Sequence, residues 1–207
     1  MLKKFLALAL FVLLPAIAFA ASAPEIKGKY TAVPGKEFKY DGKTVEVIEF
    51  LSFYCGSCYE FEKSIPAIKG NFPKKLKWKL APVYWGNGSS KPGEAYFLAE
   101  EAGKGEQMKK ALFKAHFVDK KDIGDIAVLE SIGAQIGMGF DFSVKLRNGA
   151  KAPEARKALD MAREYQIEET PTLIIAGNIA TNPHAAGHDM NDFKNNVMSI
   201  LRSIIKK

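Results

Sequence analysis

The stretch that most constrains this chain runs from Lys43 to Gly70. From Lys43 to Leu51 (KTVEVIEFL) apolar and polar residues alternate, then turn almost wholly apolar around Glu49. That is the pattern of a strand buried on both faces at its end. Beyond it the period changes: Phe61, Ile65 and Ile68 recur at i, i+4 and i+7, and Gly70 stands where a helix-ending glycine belongs. This predicts a helix over 55–70, kinked at Pro66. The junction between strand and helix carries Cys55-Gly56-Ser57-Cys58, both cysteines of the 207-residue chain.

The remaining pattern completes an α/β arrangement. Leu76–Tyr84 reads as a second strand, and Gly86–Ser90 breaks the chain. From Gly93 to about Ala152 the periodicity is helical, with helices predicted over 95–103, 106–117, 126–136 and 141–147. A further helix is expected over 153–165, with Pro153 in its first turn. Thr172–Ala176 and Ile179–Ala180 form a hairpin about Gly177-Asn178. Asp189 caps a closing helix over 190–206. Residues 21–36 form an ordered lead-in or a frayed end. Strand, helix and strand imply a parallel pair with a crossover, and the hairpin adds antiparallel strands. The expected fold is a small mixed sheet flanked by helices, with an all-helical insertion at about 93–152.

The first twenty residues stand apart. Lys3 and Lys4 precede an apolar run from Phe5 to Ala20 that contains Pro15 and ends Ala18-Phe19-Ala20. A basic start, a short apolar run and small residues at its end mark a secretory signal peptide, with cleavage expected after Ala20 or Ala23. The run falls short of the ~20 residues that span a bilayer. Residues 21–207 are then one exported, soluble domain. Losing Lys3 and Lys4 lowers the formal charge from +7 to +5, and the remaining lysines are scattered. No basic stripe or recognition motif points to nucleic acid. With 47% apolar residues the chain builds a core without disulfide staples. The cysteines are therefore free for chemistry.

A thiol at the start of a helix faces unpaired N–H groups and the positive end of the helix dipole, which favour the thiolate. Cys55 is then a good attacking and leaving group, and Cys58, three residues on, is placed to resolve a mixed disulfide. Three other readings compete. A structural disulfide across two residues gains little loop entropy. A zinc site using His184 and His188 has a ligand spacing unlike known zinc motifs. Two thiols serving as packing suit an exported protein poorly.

The run Glu49-Phe50-Leu51-Ser52-Phe53-Tyr54-Cys55-Gly56-Ser57-Cys58-Tyr59-Glu60-Phe61-Glu62 resembles the DsbA family of periplasmic thiol:disulfide oxidoreductases, and Glu169-Thr170-Pro171-Thr172-Leu173 resembles the cis-proline loop of the thioredoxin fold. The resemblance spans the whole chain after the leader. It implies a thioredoxin fold, Cys55 as exposed nucleophile and Cys58 as its buried partner. It also implies a cis Pro171 facing the sulfurs, with the backbone at Thr170 pairing with a bound peptide. Glu49 would be the buried acid beneath the site and Lys79 its charge partner; otherwise Glu49 is an edge glutamate facing solvent. The implied partners are cysteine-bearing client proteins and a membrane redox protein. The expected state is a monomer, and no metal, nucleotide or flavin is needed.

Two positions depart from the family. Gly56-Ser57 stands where strongly oxidising members have Pro-His, so no imidazolium adjoins Cys55 and its pKa should be less depressed. Thr170 replaces the usual valine and resembles disulfide isomerases, which dimerise through an added N-terminal domain; about twenty residues before Lys43 are too few for one. These departures leave electron flow open between disulfide donation and reduction or isomerisation. A peptide-binding module without catalysis is the reading of a different class. His116 is expected to be packing, and Tyr84, Trp85, Met138 and Phe140 are offered as the rim of a peptide groove.

Overall fold

The structure is a computed structural model that describes residues 25–86 and 88–205. The expected leader and both cleavage positions lie outside those residues. Five strands form one mixed sheet in the order β1–β5–β4–β2–β3. Here β1 is Thr31–Ala32, β2 Val45–Leu51, β3 Leu76–Pro82, β4 Thr172–Ile175 and β5 Ile179–Thr181. The β2 and β3 strands are parallel, and the β2–β4, β4–β5 and β5–β1 pairs are antiparallel. This is the parallel pair plus hairpin that the sequence pattern implies. Within the described residues the lead-in is ordered: β1 pairs with β5, and Lys29 N–H donates to Asn196 Oδ1 at 2.6 Å.

The helix expected over 55–70 is two helices, α1 (Gly56–Glu62) and α2 (Ile65–Asn71). Pro66 has no N–H to give the carbonyl four residues back, and its ring crowds that carbonyl. The helix therefore stops and restarts, with Pro66 in the first turn of α2 where the missing donor costs nothing. Gly70 lies inside α2 rather than ending it.

The insertion comprises α3 (Lys91–Glu101), α4 (Gly105–Phe113), α5 (Ile126–Gln135) and α6 (Phe140–Arg147), followed by α7 (Ala152–Glu164). The helix expected over 106–117 changes character at Lys114, where a π-helical turn, Lys114–Val118, replaces its last residues. A short α8 (Pro183–Ala186), missed by the sequence reading, is capped by Asn182, whose Oδ1 accepts from Ala185 N–H at 2.8 Å. Met190–Ile205 is α9.

Strand alternation sorts β2 onto two cores. Val45 and Val47 pack with Phe61, Ile65, Ile68 and the apolar face of α9. Ile48 and Phe50 pack on the opposite face with Ala158 and Ala162 of α7. At the strand's end Leu51 and Phe53 join Cys58 and the insertion in a third core. The active-site junction is thus where sheet, α1 and insertion meet.

Candidate active site

Cys55 is the N-cap of α1, in extended conformation (φ −96°, ψ 118°). Its Sγ accepts from the Cys58 N–H at 3.4 Å and lies 3.2 Å from the Thr170 carbonyl. Gly56 and Ser57 fill the first turn of α1, which holds no acidic side chain to oppose a thiolate. The Cys58 thiol, the Thr170 side chain and the backbone N–H groups of Cys58 and Ser57 hold the Cys55 pKa down at about 6, against partial burial. At pH 7 the thiolate is therefore favoured over the thiol. Cys58 is buried, and burial followed by its contact with Cys55 pushes its thiol well up. Two identical side chains three residues apart thus have opposite tendencies, because one caps the helix and the other faces the core.

The Thr170–Pro171 peptide is cis, and its loop stands directly over the sulfurs. Pro171 offers no N–H there, so its backbone does not compete with Cys58 for the Cys55 thiolate. Cys55 opens into a cleft of about 400 Å³ lined by Ser52, Tyr54, Trp85, Gly88 and Thr170. Trp85 is 44% exposed, a large indole left at the rim. Tyr84 and Tyr54 both lie close to Gly88.

Met138 and Phe140 do not rim this cleft. The residue beside Met138, Gly137, accepts through its carbonyl from Lys104 Nζ, past the C-terminal end of α3, whereas the cleft-side loop leads into that helix's N-terminus. An 11-residue helix separates the two ends by about 16 Å. His116 sits in the π-helical turn, edge-on to Tyr54 and Phe117, with ring centroids 5.3 and 4.7 Å away. It is packing for the wall that carries Tyr54. His184 and His188 contact each other at 4.6 Å, and no group of three or more metal-ligating side chains forms among the described residues.

Glu49 is buried rather than facing solvent, and Lys79 does not pair with it. Glu49 is 1% exposed, and its Oε2 accepts from Trp78 Nε1 at 2.8 Å. Lys79 is a correction: it pairs with Glu46 at 2.5 Å at the surface. The β2–β3 register explains why. Lys79 lies opposite Ile48 and Leu80 opposite Glu49, so Lys79 is on the other face of the sheet. The cation on the Glu49 side is Lys109 of α4, 1% exposed, with Nζ 2.9 Å from Glu62 and 3.1 Å from Glu106. Burial pushes the Glu49 pKa up to about 7, against the opposing pull of Lys109 and the Trp78 hydrogen bond. Lys109, Glu62 and Trp78 were missed in the sequence. The signal was available for one of them: Gly105, Met108, Lys109 and Leu112 share the inward stripe of α4, so Lys109 interrupts an apolar face.

Comparison with known proteins places this geometry. The family model described as thioredoxin matches residues 43–190. The thiol:disulfide interchange protein DsbA of Haemophilus influenzae is 29% identical over the full length of both chains. That of Azotobacter vinelandii is 26% identical over 77% of this chain and 72% of its own. Among solved structures, Xylella fastidiosa DsbA superposes with a TM-score of 0.69 at 22% identity, covering 84% of this chain and 93% of that one. A Pseudomonas aeruginosa DsbA variant superposes at 0.71 and 19% identity, covering 85% and 97%. With its CxxC pair at the head of α1 and its cis-proline loop above, the chain belongs to the thioredoxin family and is a DsbA-like thiol:disulfide oxidoreductase.

Proposed function

We propose that this protein is exported to the periplasm and donates the Cys55–Cys58 disulfide to cysteine-bearing client proteins during oxidative folding. The unequal sulfurs carry this reading. A client thiolate attacks Cys55 Sγ in the oxidised protein; the S–S bond breaks, and Cys58 leaves and takes a proton. The client's second thiolate then attacks its own sulfur in the mixed disulfide and expels Cys55 as a thiolate, which its N–H partners stabilise. The client gains one disulfide, and the protein gains two electrons as a dithiol. A membrane partner's disulfide takes those electrons back.

The cleft beside Cys55 and the Thr170 backbone supply the docking site, with Thr170 pairing to an extended client segment and Trp85 covering its apolar side chains. A solved structure of a Proteus mirabilis DsbA variant, which superposes at a TM-score of 0.69 and 16% identity over 90% of this chain and all of its own, has a non-covalently bound peptide. That is consistent with a peptide groove on this fold. Export rests on the leader at residues 1–20, with Lys3, Lys4 and the Ala18-Phe19-Ala20 end, and on the bacterial relatives. No helix among the described residues is long and apolar enough to cross a membrane.

The test is turnover. The oxidised protein should form disulfides in a reduced, two-cysteine client, and Cys55→Ala should abolish this. If Cys55→Ala still promotes client refolding at the original rate, the protein acts as a peptide-binding module instead.

A further inference from the structure

A second cleft, of about 500 Å³, adjoins the cis-proline loop without reaching either cysteine. Its walls include Thr31 of β1, Tyr165 at the end of α7, Glu168 and Glu169 of the loop, Thr172 of β4 and His184 of α8. The two clefts meet at one peptide: Thr170 lines the Cys55 cleft and Glu169 lines this one. Thr172 shares strand parity with Ile174, which packs with Ala158 and Ala162, so the cleft opens on the α7 face of the sheet. Thr172 is 5% exposed, and its hydroxyl donates to the Glu169 carbonyl at 2.8 Å, folding the loop onto β4.

The charge of the cleft has one sign. Glu168 and Glu169 are exposed, and neither is in an ion pair among the described residues. No lysine or arginine lines the cleft among those residues, in a chain whose formal charge is +7. Lys36, whose ammonium lies 4.6 Å from the Tyr165 ring centroid, is itself paired with Glu164 and so does not neutralise the two. The edge of the cleft is open as well. The outer strand of the sheet is β1, and the Val33 N–H bond to the Asn178 carbonyl makes Ala32–Ile179 the pair without mutual hydrogen bonds. The Ala32 N–H and C=O therefore point away from β5. A free strand edge suits an extended backbone, and two unpaired carboxylates suit a cation.

We propose that this cleft is a specificity subsite: it takes the lysine or arginine side chain of an extended client segment that flanks the client's reactive cysteine. This rests on the thiol–disulfide reading and deepens it by naming the class of client. A client paired at Thr170 runs on past the neighbours of that residue. Toward Glu169 and Glu168 each client residue advances the segment by about 3.3 Å, which brings positions two and three from the cysteine over the carboxylates. None of these groups touches a sulfur, so the preference belongs to binding of the client and shows in KM rather than in the chemical step.

The experiment measures kcat and KM of the oxidised, purified chain on reduced two-cysteine peptides at neutral pH and low salt. The peptides carry lysine, serine or glutamate at the second and third positions on either side of the attacking cysteine. On one flank lysine should lower KM about two- to fivefold relative to serine, the worth of an exposed ion pair, and glutamate should raise it. The difference should shrink at high salt. The double variant Glu168→Gln, Glu169→Gln should bring the three peptides level, and Glu168→Lys with Glu169→Lys should reverse their order. Thr31→Trp narrows the cleft and keeps both carboxylates, so it should also weaken the lysine preference. A preference that survives Thr31→Trp intact would place the charge effect outside the cleft and overturn the subsite. Equal KM values for the three peptides on both flanks overturn it too, as does a preference unchanged in the double glutamine variant. Should that variant fail to fold, Glu168→Gln and Glu169→Gln alone should each lose part of the preference, and full preference in both singles contradicts the proposal. A chain that oxidises no peptide of the series would undo the thiol–disulfide reading itself, whereas one that oxidises all of them alike undoes only the subsite.

Discussion

Charge is held in two ways on either side of α1. Above it, the Cys55 thiolate is held by backbone N–H groups of the first turn, the Cys58 thiol and Thr170. Below it, Lys109 pairs with Glu62, and Glu49 accepts from Trp78. The upper site depends on where the chain turns from strand to helix, with Cys55 as the N-cap of α1. The lower depends on side chains from several elements, and removing Lys109 leaves its carboxylate partner Glu62 stranded. The Cys55 site is thus built from one turn of chain, its partner thiol and the cis-proline loop, the Glu49 layer from side chains of several elements.

The largest effect tests the upper site: Cys55→Ala should remove all measurable exchange with a client, while Cys58→Ala should trap mixed disulfides detectable by mass spectrometry. Next comes the lower site. Lys109→Ala should cost about 3–5 kcal/mol in urea unfolding, the usual penalty for stranding buried charge. A loss below about 1 kcal/mol would mean that water reaches the cluster.

Glu49→Gln sharpens the contrast through pH. The folded Glu49 pKa is raised to about 7, so its burial penalty is absent below the unfolded value and grows as pH rises through 7. Glu49→Gln should therefore gain stability relative to wild type by about 1–3 kcal/mol at pH 8 and by little at pH 4.5. A gain independent of pH would contradict an ionising Glu49. The smallest effect belongs to the surface pair on the same strand: Lys79→Ala should change stability by no more than about 0.5 kcal/mol, because Glu46 and Lys79 are both in contact with water.

How much of this was legible follows the same division. Local patterns identified β2, α1, the helical insertion, the hairpin and α9, because each is written in a period of 2 or 3.6. The CxxC at the strand–helix junction and Thr170-Pro171 were also visible as short motifs. The break between α1 and α2 was misread as a kink, although Pro66 explains it fully. The Glu49 partner was misassigned because strand parity was not followed across the pair: Lys79 sits opposite Ile48, so it faces away. Lys109 lies 60 positions from Glu49 and reaches the same side of the sheet through tertiary packing alone, which no local pattern records. Likewise Met138 and Phe140, offered as rim residues, do not line the cleft; Phe140 is 83% exposed at the start of α6.

The most direct test of the account is the equilibrium reduction potential of the Cys55–Cys58 pair at pH 7, titrated against glutathione buffers. A Cys55 pKa of about 6 lies between the ~7 of thioredoxin and the ~3.5 of DsbA. The expected potential therefore lies between about −270 and −120 mV. A pair that resists reduction below about −300 mV would be a structural disulfide and would contradict the exchange reaction outright.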